Sequence, residues 1–402
     1  MSGRKPATRA VEAGRPRKWT SLEGQPGSVV NPPVWRSSTH LYDDCADLAK
    51  GRPNEDGHFY YGRRGGPTQW ALADALTALE PGAAGTELFP SGVAAIAATL
   101  LALLRPGDEL LYTDNAYEPT RMIAHGLLKR FGMAARSFDP MDTDAFAAAI
   151  GENTKLVMLE APGSLTMEVC DVPALAAIAR ERGVVSVIDN TWASPLGFPA
   201  LERGCDVTLM SLTKHVGGHS DLMMGSVSAA APHLARIRAH AQFAGQVVSP
   251  DDAALALRGL RTMPLRLERS AASALDIARW LASRDEVSTV LCPMLPGAPG
   301  HEFWQRDFHG GCGLFSFILR DGDTAARARL IDALDLFGIG FSWGGYESLA
   351  IPIDPGQVRD FGAWPHGVDA GGGLGVRLSI GLEDTADLIA DLERGFAAMD
   401  AR

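Results

Sequence analysis

The sequence predicts an α/β protein with a large, mostly parallel sheet domain, followed by a smaller α+β C-terminal domain. Three observations predict it. From about residue 67, short apolar runs alternate with helical stretches, the pattern of a parallel sheet covered on both faces. Near residue 249 this alternation gives way to one long helical stretch. Beyond it, helices stand apart from a few strands that read as a small antiparallel sheet.

Residues 1–66 read as an N-terminal tail and extended arm. The first 18 residues carry Arg4, Lys5, Arg9, Arg15, Arg17 and Lys18 against one acid, Glu12. A solvated, partly disordered tail is the simpler expectation, with an Arg-rich transit segment as the alternative. Residues 20–66 are rich in Pro, Gly and polar side chains and weak in periodicity. Such an arm must lie on some surface, and a neighbouring subunit is one candidate.

Residues 67–248 read as the large domain. Helix is expected over 70–79 and strand over 86–89. Ser91 precedes a helix that Arg105-Pro106-Gly107 ends, since Pro and Gly cannot continue it. A strand over 109–112 and a helix over 120–131 follow. Next come strand 156–159, helix 172–182, strand 184–188 and strand 207–210. The Val- and Ile-rich run at 184–188 suits a strand buried on both faces.

Residues 249–402 read as a linking helix and the α+β domain. Ser249-Pro250-Asp251-Asp252 starts a helix strongly: Ser caps, Pro fits the first turn and two acids face the dipole. That helix runs through Trp280. Strands are expected over 313–319, 338–343 and 375–380, with helices over 325–336 and 385–399.

With 402 residues, 46% hydrophobic and 21% charged, the chain has the balance of a soluble globular protein of two or three domains. A net charge of -11 argues against nucleic acid or an anionic membrane as partner, because both need a basic surface. The longest apolar run, 93–104, is too short to span a bilayer, which takes about 20 residues. Cys45, Cys170, Cys205, Cys292 and Cys312 are odd in number, widely spaced and without a C-x-x-C pair. They read as reduced thiols of a cytoplasmic protein, with neither a disulfide framework nor a metal site expected. No apolar segment marks a secretory signal.

In open α/β sheets, ligands bind beyond the carboxyl ends of the strands. Four expected strand ends carry distinctive polar groups. Ser91-Gly92 opens a helix whose free N–H groups suit an anion, although many such pairs are only helix caps. Tyr117, in the run from Asn115, offers an aromatic face. Asp189 ends an apolar strand, where a carboxylate is costly unless paired with a cation. Its bland reading is a cap for the next turn, helped by Asn190. Lys214 follows Ser211 and Thr213 and sits among Met210, Leu212 and Val216. Apolar surroundings lower a lysine's pKa and favour the nucleophilic amine, whereas a surface lysine is the commoner fate. A phosphate site, a stacking ring, an acid for a ring nitrogen and an imine-forming lysine are together what pyridoxal phosphate (PLP) requires.

At these residues the chain resembles the PLP-dependent enzymes of cysteine and methionine metabolism, within fold type I. The resemblance covers nearly everything from about residue 28. It rests on Tyr61-Gly62-Arg63-Arg64-Gly65, Ala116-Tyr117-Glu118-Pro119 and the stretch from Glu160-Ala161-Pro162-Gly163-Ser164 to Leu165-Thr166-Met167-Glu168. It rests equally on Ile188-Asp189-Asn190-Thr191-Trp192, Thr213-Lys214-His215, the segment from Ser342-Trp343-Gly344-Gly345 to Tyr346-Glu347-Ser348, and the segment from Val376-Arg377-Leu378 to Ser379-Ile380-Gly381.

The resemblance implies the PLP-dependent transferase-like fold and assigns roles. Lys214 holds the cofactor as a Schiff base and then moves the α-proton. Asp189 pairs with the ring nitrogen, and Tyr117 stacks on the ring. Gly92, Val93, Ser211 and Thr213 hold the phosphate, with Tyr61 and Arg63 reaching it from a neighbouring subunit. Arg377 grips the substrate carboxylate beside Ser342 and Trp343, since a guanidinium fork matches a carboxylate. A homo-oligomer is implied, and a tetramer is the family's habit. The Ser342-Trp343-Gly344-Gly345-Tyr346 and Glu160-Ala161-Pro162-Gly163-Ser164 segments lean towards members that cleave the Cβ–S bond of cystathionine to homocysteine, pyruvate and ammonia. Other cysteine S-conjugate lyases, cysteine desulfhydrases and γ-acting relatives are the enzyme alternatives. A PLP-holding regulatory protein is the alternative from another class.

Overall fold

The computed structural model describes residues 4–21, 24–357, 359–361, 364 and 373–399. The large sheet has seven strands: β1 (Gly85–Phe89), β2 (Glu109–Thr113), β3 (Ala134–Phe138), β4 (Thr154–Glu160), β5 (Val185–Asp189), β6 (Val207–Ser211) and β7 (Gly225–Ala229). Their spatial order is β1-β7-β6-β5-β4-β2-β3. Strands β3, β2, β4, β5 and β6 run parallel, and β7 is antiparallel to both β6 and β1. Six strands therefore point their carboxyl ends to one edge.

The sheet is buried on both faces, which explains its apolar runs. In β5, Val187 packs with Phe89, Leu209 and the helix Gly92–Leu103 on one face. The next residue, Ile188, packs with Val157, Leu159 and Phe198 on the other. Strands β3 and β7 were not expected from the sequence, for different reasons. β3 is a sheet edge whose only fully buried side chain is Phe138. β7 is buried throughout but built of small residues, Gly-Ser-Val-Ser-Ala. Its Ser228 hydroxyl lies 2.7 Å from that of Thr86, so a polar pair stands where an apolar one was sought.

The smaller sheet is antiparallel: β8 (Val287–Leu291), β9 (Leu314–Leu319), β10 (Leu349–Ile353) and β11 (Leu374–Ser379), in the order β10-β11-β9-β8. The helix Pro250–Ala282 leads into it, capped by Ser249 as expected: its hydroxyl accepts from Asp251 N at 3.1 Å. The strand expected over 338–343 does not form. Gly338 makes one isolated bridge to Leu349, and the chain then turns irregular, with φ +96° at Ser342 and +79° at Gly344. Sheet pairing is taken by β10 instead, while 342–344 bend towards the large domain. The helix expected over 120–131 divides into an α-helix, Glu118–Met122, and a π-helical stretch, Ile123–Leu128.

The solvated tail is also corrected. Pro6–Glu12 form a helix with Ala10 and Ala13 fully buried. Arg9 donates to Ala78 O at 3.1 Å, and Arg261 donates to Ala10 O at 3.0 Å. The basic residue is spent on an orphan carbonyl at a helix end, which the sequence pattern does not reveal. The arm is irregular apart from the short helices Cys45–Ala49 and Gly62–Arg64; Thr39 bridges Tyr61, and Arg36 pairs with Asp251 at 2.5 Å. Among the described residues, no helix is long and apolar enough to cross a membrane.

Candidate active site

A cavity of about 170 Å³ opens at the carboxyl edge of the large sheet, closed on one side by the smaller domain. Nine of the residues singled out by sequence line it: Gly92, Val93, Tyr117, Asp189, Ser211, Thr213, Lys214, Trp343 and Arg377. Seven of them sit where a strand or helix of the large sheet domain ends; Trp343, in an irregular segment, and Arg377, inside β11, come from the smaller domain.

Lys214 lies in the turn after β6, its N–H donating to Ser211 O at 3.2 Å. Its Nζ donates to Ser342 Oγ at 2.7 Å and lies 5.3 Å from the Trp343 ring centre. Burial pulls its pKa down to about 8, helped by the charge of Arg377 and opposed by Asp189. A neutral amine is thus accessible at physiological pH, which a solvated lysine does not offer.

Asp189 is the last residue of β5. Its Oδ1 accepts from the Thr191 backbone N–H at 3.0 Å and from the Thr191 hydroxyl at 2.5 Å. The same hydroxyl accepts from Ser211 N at 2.9 Å, which ties the end of β5 to the end of β6. Burial pushes the Asp189 carboxyl up, and the two bonds from Thr191 oppose this. Glu160 ends the adjacent strand β4 in register with Asp189. Burial first, and the neighbouring Asp189 second, raise its pKa well above the usual range. Its Oε2 accepts from Tyr117 N at 2.6 Å and so fixes the backbone that presents the tyrosine ring.

The helix Gly92–Leu103 begins at the cavity wall, with Ser91 Oγ accepting from Ala94 N at 3.1 Å. Glycine is required at 92 because a Cβ there would come within 2.9 Å of Ser211 Cβ. Backbone N–H groups at this terminus therefore stand beside the hydroxyl of Ser211, a donor set for an anion. Thr213 bonds to Met224 N at 3.0 Å, which fixes its position beside Lys214.

Arg377 reaches the cavity from β11 of the smaller sheet and donates to Ser342 O at 3.1 Å. No carboxylate pairs with it among the described residues, and burial pulls its pKa down to about 10. Such a fork is ready for a carboxylate from outside the chain. Ser342 thus accepts from both Lys214 and Arg377 while holding a left-handed backbone, a conformation that costs about 1–3 kcal/mol in a non-glycine residue.

Tyr61 and Arg63 do not join this cavity within one chain. Arg63 donates to Gln242 O at 2.8 Å and lines a separate surface recess with Arg64 and Glu87. Glu160 and Thr191 stand inside the motifs without an expected role; a threonine two residues past a strand-end aspartate is the signal for the second. Neither Leu165 nor Met167, both cavity-lining and both at positive φ, carries any marker in the sequence of its place there.

Residues 8–397 match the model of the Cys/Met metabolism PLP-dependent enzyme family. The chain belongs to this family. The chain is similar to Cystathionine beta-lyase MetC of Escherichia coli, with 42% identity covering 99% of each chain. It is equally similar, at 42% and 99% of each, to the cystathionine beta-lyase of Salmonella typhimurium. Among solved structures, metB from Corynebacterium glutamicum superposes with a TM-score of 0.86, 31% identity and coverage of 98% of each chain. As in its family, PLP is the cofactor. The residues present fit it: the cradle at Gly92 and Ser211 takes a phosphate, Asp189 is a buried acid in need of a cationic ring nitrogen, and Lys214 is an amine of lowered pKa between them.

Proposed function

We propose that the chain cleaves the Cβ–S bond of L-cystathionine by β-elimination, releasing homocysteine and, with uptake of one water, pyruvate and ammonia. The observation that carries this reading is the single path Lys214–Ser342–Arg377, in which an amine of lowered pKa and a carboxylate-binding fork share one residue. When bound, PLP supplies an electron sink conjugated to the substrate's α-carbon. Everything else falls to the chain. Arg377 binds and orients the α-carboxylate. Lys214 Nζ would remove the Cα proton and return a proton to the departing sulfur. Asp189, its Oδ1 held by Thr191, keeps the ring nitrogen protonated. Tyr117 stacks on the ring, its backbone fixed by Glu160. Gly92, Val93, Ser211 and Thr213 hold the phosphate.

Tyr61 and Arg63 complete the phosphate site from a second copy of the chain; neither lines the cavity of its own chain, where Arg63 faces a different recess. This reading makes the protein a homo-oligomer, a tetramer by family habit, acting on amino acids of the cytoplasm. Residues 67–248 then form the cofactor domain and 249–402 the domain that brings Arg377. Trp343 beside Lys214 favours β- over γ-elimination by the same family argument. Chromatographic identification of the oxo-acid formed from cystathionine tests the reading. Pyruvate is expected; 2-oxobutyrate would move the protein to γ-elimination.

A further inference from the structure

We infer that Arg359 is a positioning residue that fixes the wall of the cavity against which the apolar part of the substrate packs. Its side chain is only 6% exposed although it comes from the connection between β10 and β11. Its Nη2 donates to Thr166 Oγ1 at 2.9 Å and to Glu168 Oε1 at 2.5 Å. Its Nε lies 3.8 Å from Asp114 Oδ2. Glu168 and Asp114 are themselves 1% and 3% exposed, so three charges meet out of water.

The two anchor points flank cavity residues. Thr166 and Glu168 alternate with Leu165 and Met167, which line the cavity with φ of +70° and +59°. Two non-glycine residues of this kind, separated by Thr166 alone, persist only where the surroundings hold them. Asp114 lies three residues before Tyr117 and also accepts from the backbone N–H groups of Asp360 and Phe361, at 2.9 and 3.1 Å. One guanidinium therefore joins the loop after β2, the loop after β4 and the hairpin that carries Arg377 on β11. It touches neither Lys214 nor Asp189, which are held by Ser342 and Thr191. Loosening this junction deforms the apolar wall without moving the reacting groups. The effect falls on substrate binding and leaves the chemical step alone.

This inference rests on the cavity being the active site proposed above, and the test separates the two. In the PLP-loaded enzyme, Arg359→Lys keeps the charge but loses the fork. Its KM for cystathionine is expected to rise about 10-fold with kcat within about 2-fold and the visible cofactor absorbance unchanged. Its backbone amides over 163–168 are expected to exchange hydrogen faster, a readout independent of turnover. Removing one member of a buried ion pair endangers folding, so the second variant, Arg359→Met with Glu168→Gln, removes both charges together. It is expected to melt near the wild type and to keep the raised KM. A double variant with wild-type melting and wild-type KM would overturn the inference, leaving Arg359 as a mere counter-charge for Glu168. Unchanged exchange over 163–168, or a fall in kcat at constant KM in Arg359→Lys, would overturn it as well. If the wild type prefers another thiol amino acid, the functional reading shifts while the exchange arm stands, and the kinetic arm is run on that substrate.

Discussion

The carboxyl edge of the large sheet and the segment 342–344 face the same cavity and are built in opposite ways. At the sheet edge, Asp189 and Ser211 are terminal residues of regular strands, and Lys214 follows a single turn later. Their positions are inherited from β5 and β6 and cross-linked by Thr191. Segment 342–344 belongs to no strand, holds two positive φ angles in three residues and takes its place from contacts with Lys214, Arg377 and Ser379. A fixed frame suits a cofactor that stays. An irregular segment, held by side-chain bonds that a ligand can replace, suits a substrate that comes and goes.

This contrast is tested from its largest expected effect downwards. Lys214→Ala removes the proposed imine-forming amine and base together; kcat/KM is expected to fall at least about 10⁴-fold, with loss of the visible cofactor band. Turnover persisting near wild type would break the assignment of the frame. Asp189→Asn keeps the shape but removes the charge proposed to face the ring nitrogen. A fall in kcat of about 10²- to 10³-fold is expected by stopped-flow or steady-state assay, with weaker cofactor retention on dialysis. Trp343→Leu, in the irregular segment, should leave cofactor retention unchanged and alter kcat/KM by about 10-fold. Cofactor loss in that variant would erase the distinction between the two regions.

The smallest effect is a pH dependence of stability. Lys214 has its folded pKa lowered to about 8 from an ordinary 10.5. Between those values the unfolded chain binds the extra proton, so stability of the cofactor-free protein rises with pH across the window. Below about pH 8 both states are protonated and the buried charge is a constant penalty. Calorimetry at pH 7 and pH 10 is expected to show wild type gaining about 2–4 °C relative to Lys214→Met. The opposite sign would mean that the lysine is stabilised as a cation in its pocket.

Where the sequence was easy to read, local and tertiary signals agreed. The run ending in Asp189 is apolar because β5 is buried on both faces, and the helix after Ser91 is capped by that serine. Reading failed where polar atoms satisfy one another inside. β7 hides as Gly-Ser-Val-Ser-Ala because Ser228 bonds to Thr86 across the strand. The segment 338–343 reads as a strand by residue type and is not one: Gly338 alone bridges Leu349, and the backbone at Ser342 is turned to Arg377. Arg359 is beyond any local reading: its three partners, Asp114, Thr166 and Glu168, lie about two hundred residues away in the chain.

By itself the sequence determined the alternation of strands and helices, the family, the cofactor and the lysine and aspartate proposed to serve it, because each is written in a few adjacent residues. The tertiary structure alone decided that Ser342 joins Lys214 to Arg377, that Thr191 fixes Asp189, and that Tyr61 and Arg63 do not line the cavity of their own chain. Those relations depend on how two sheets and an arm pack in three dimensions, and packing energies are summed over residues that no local pattern brings together.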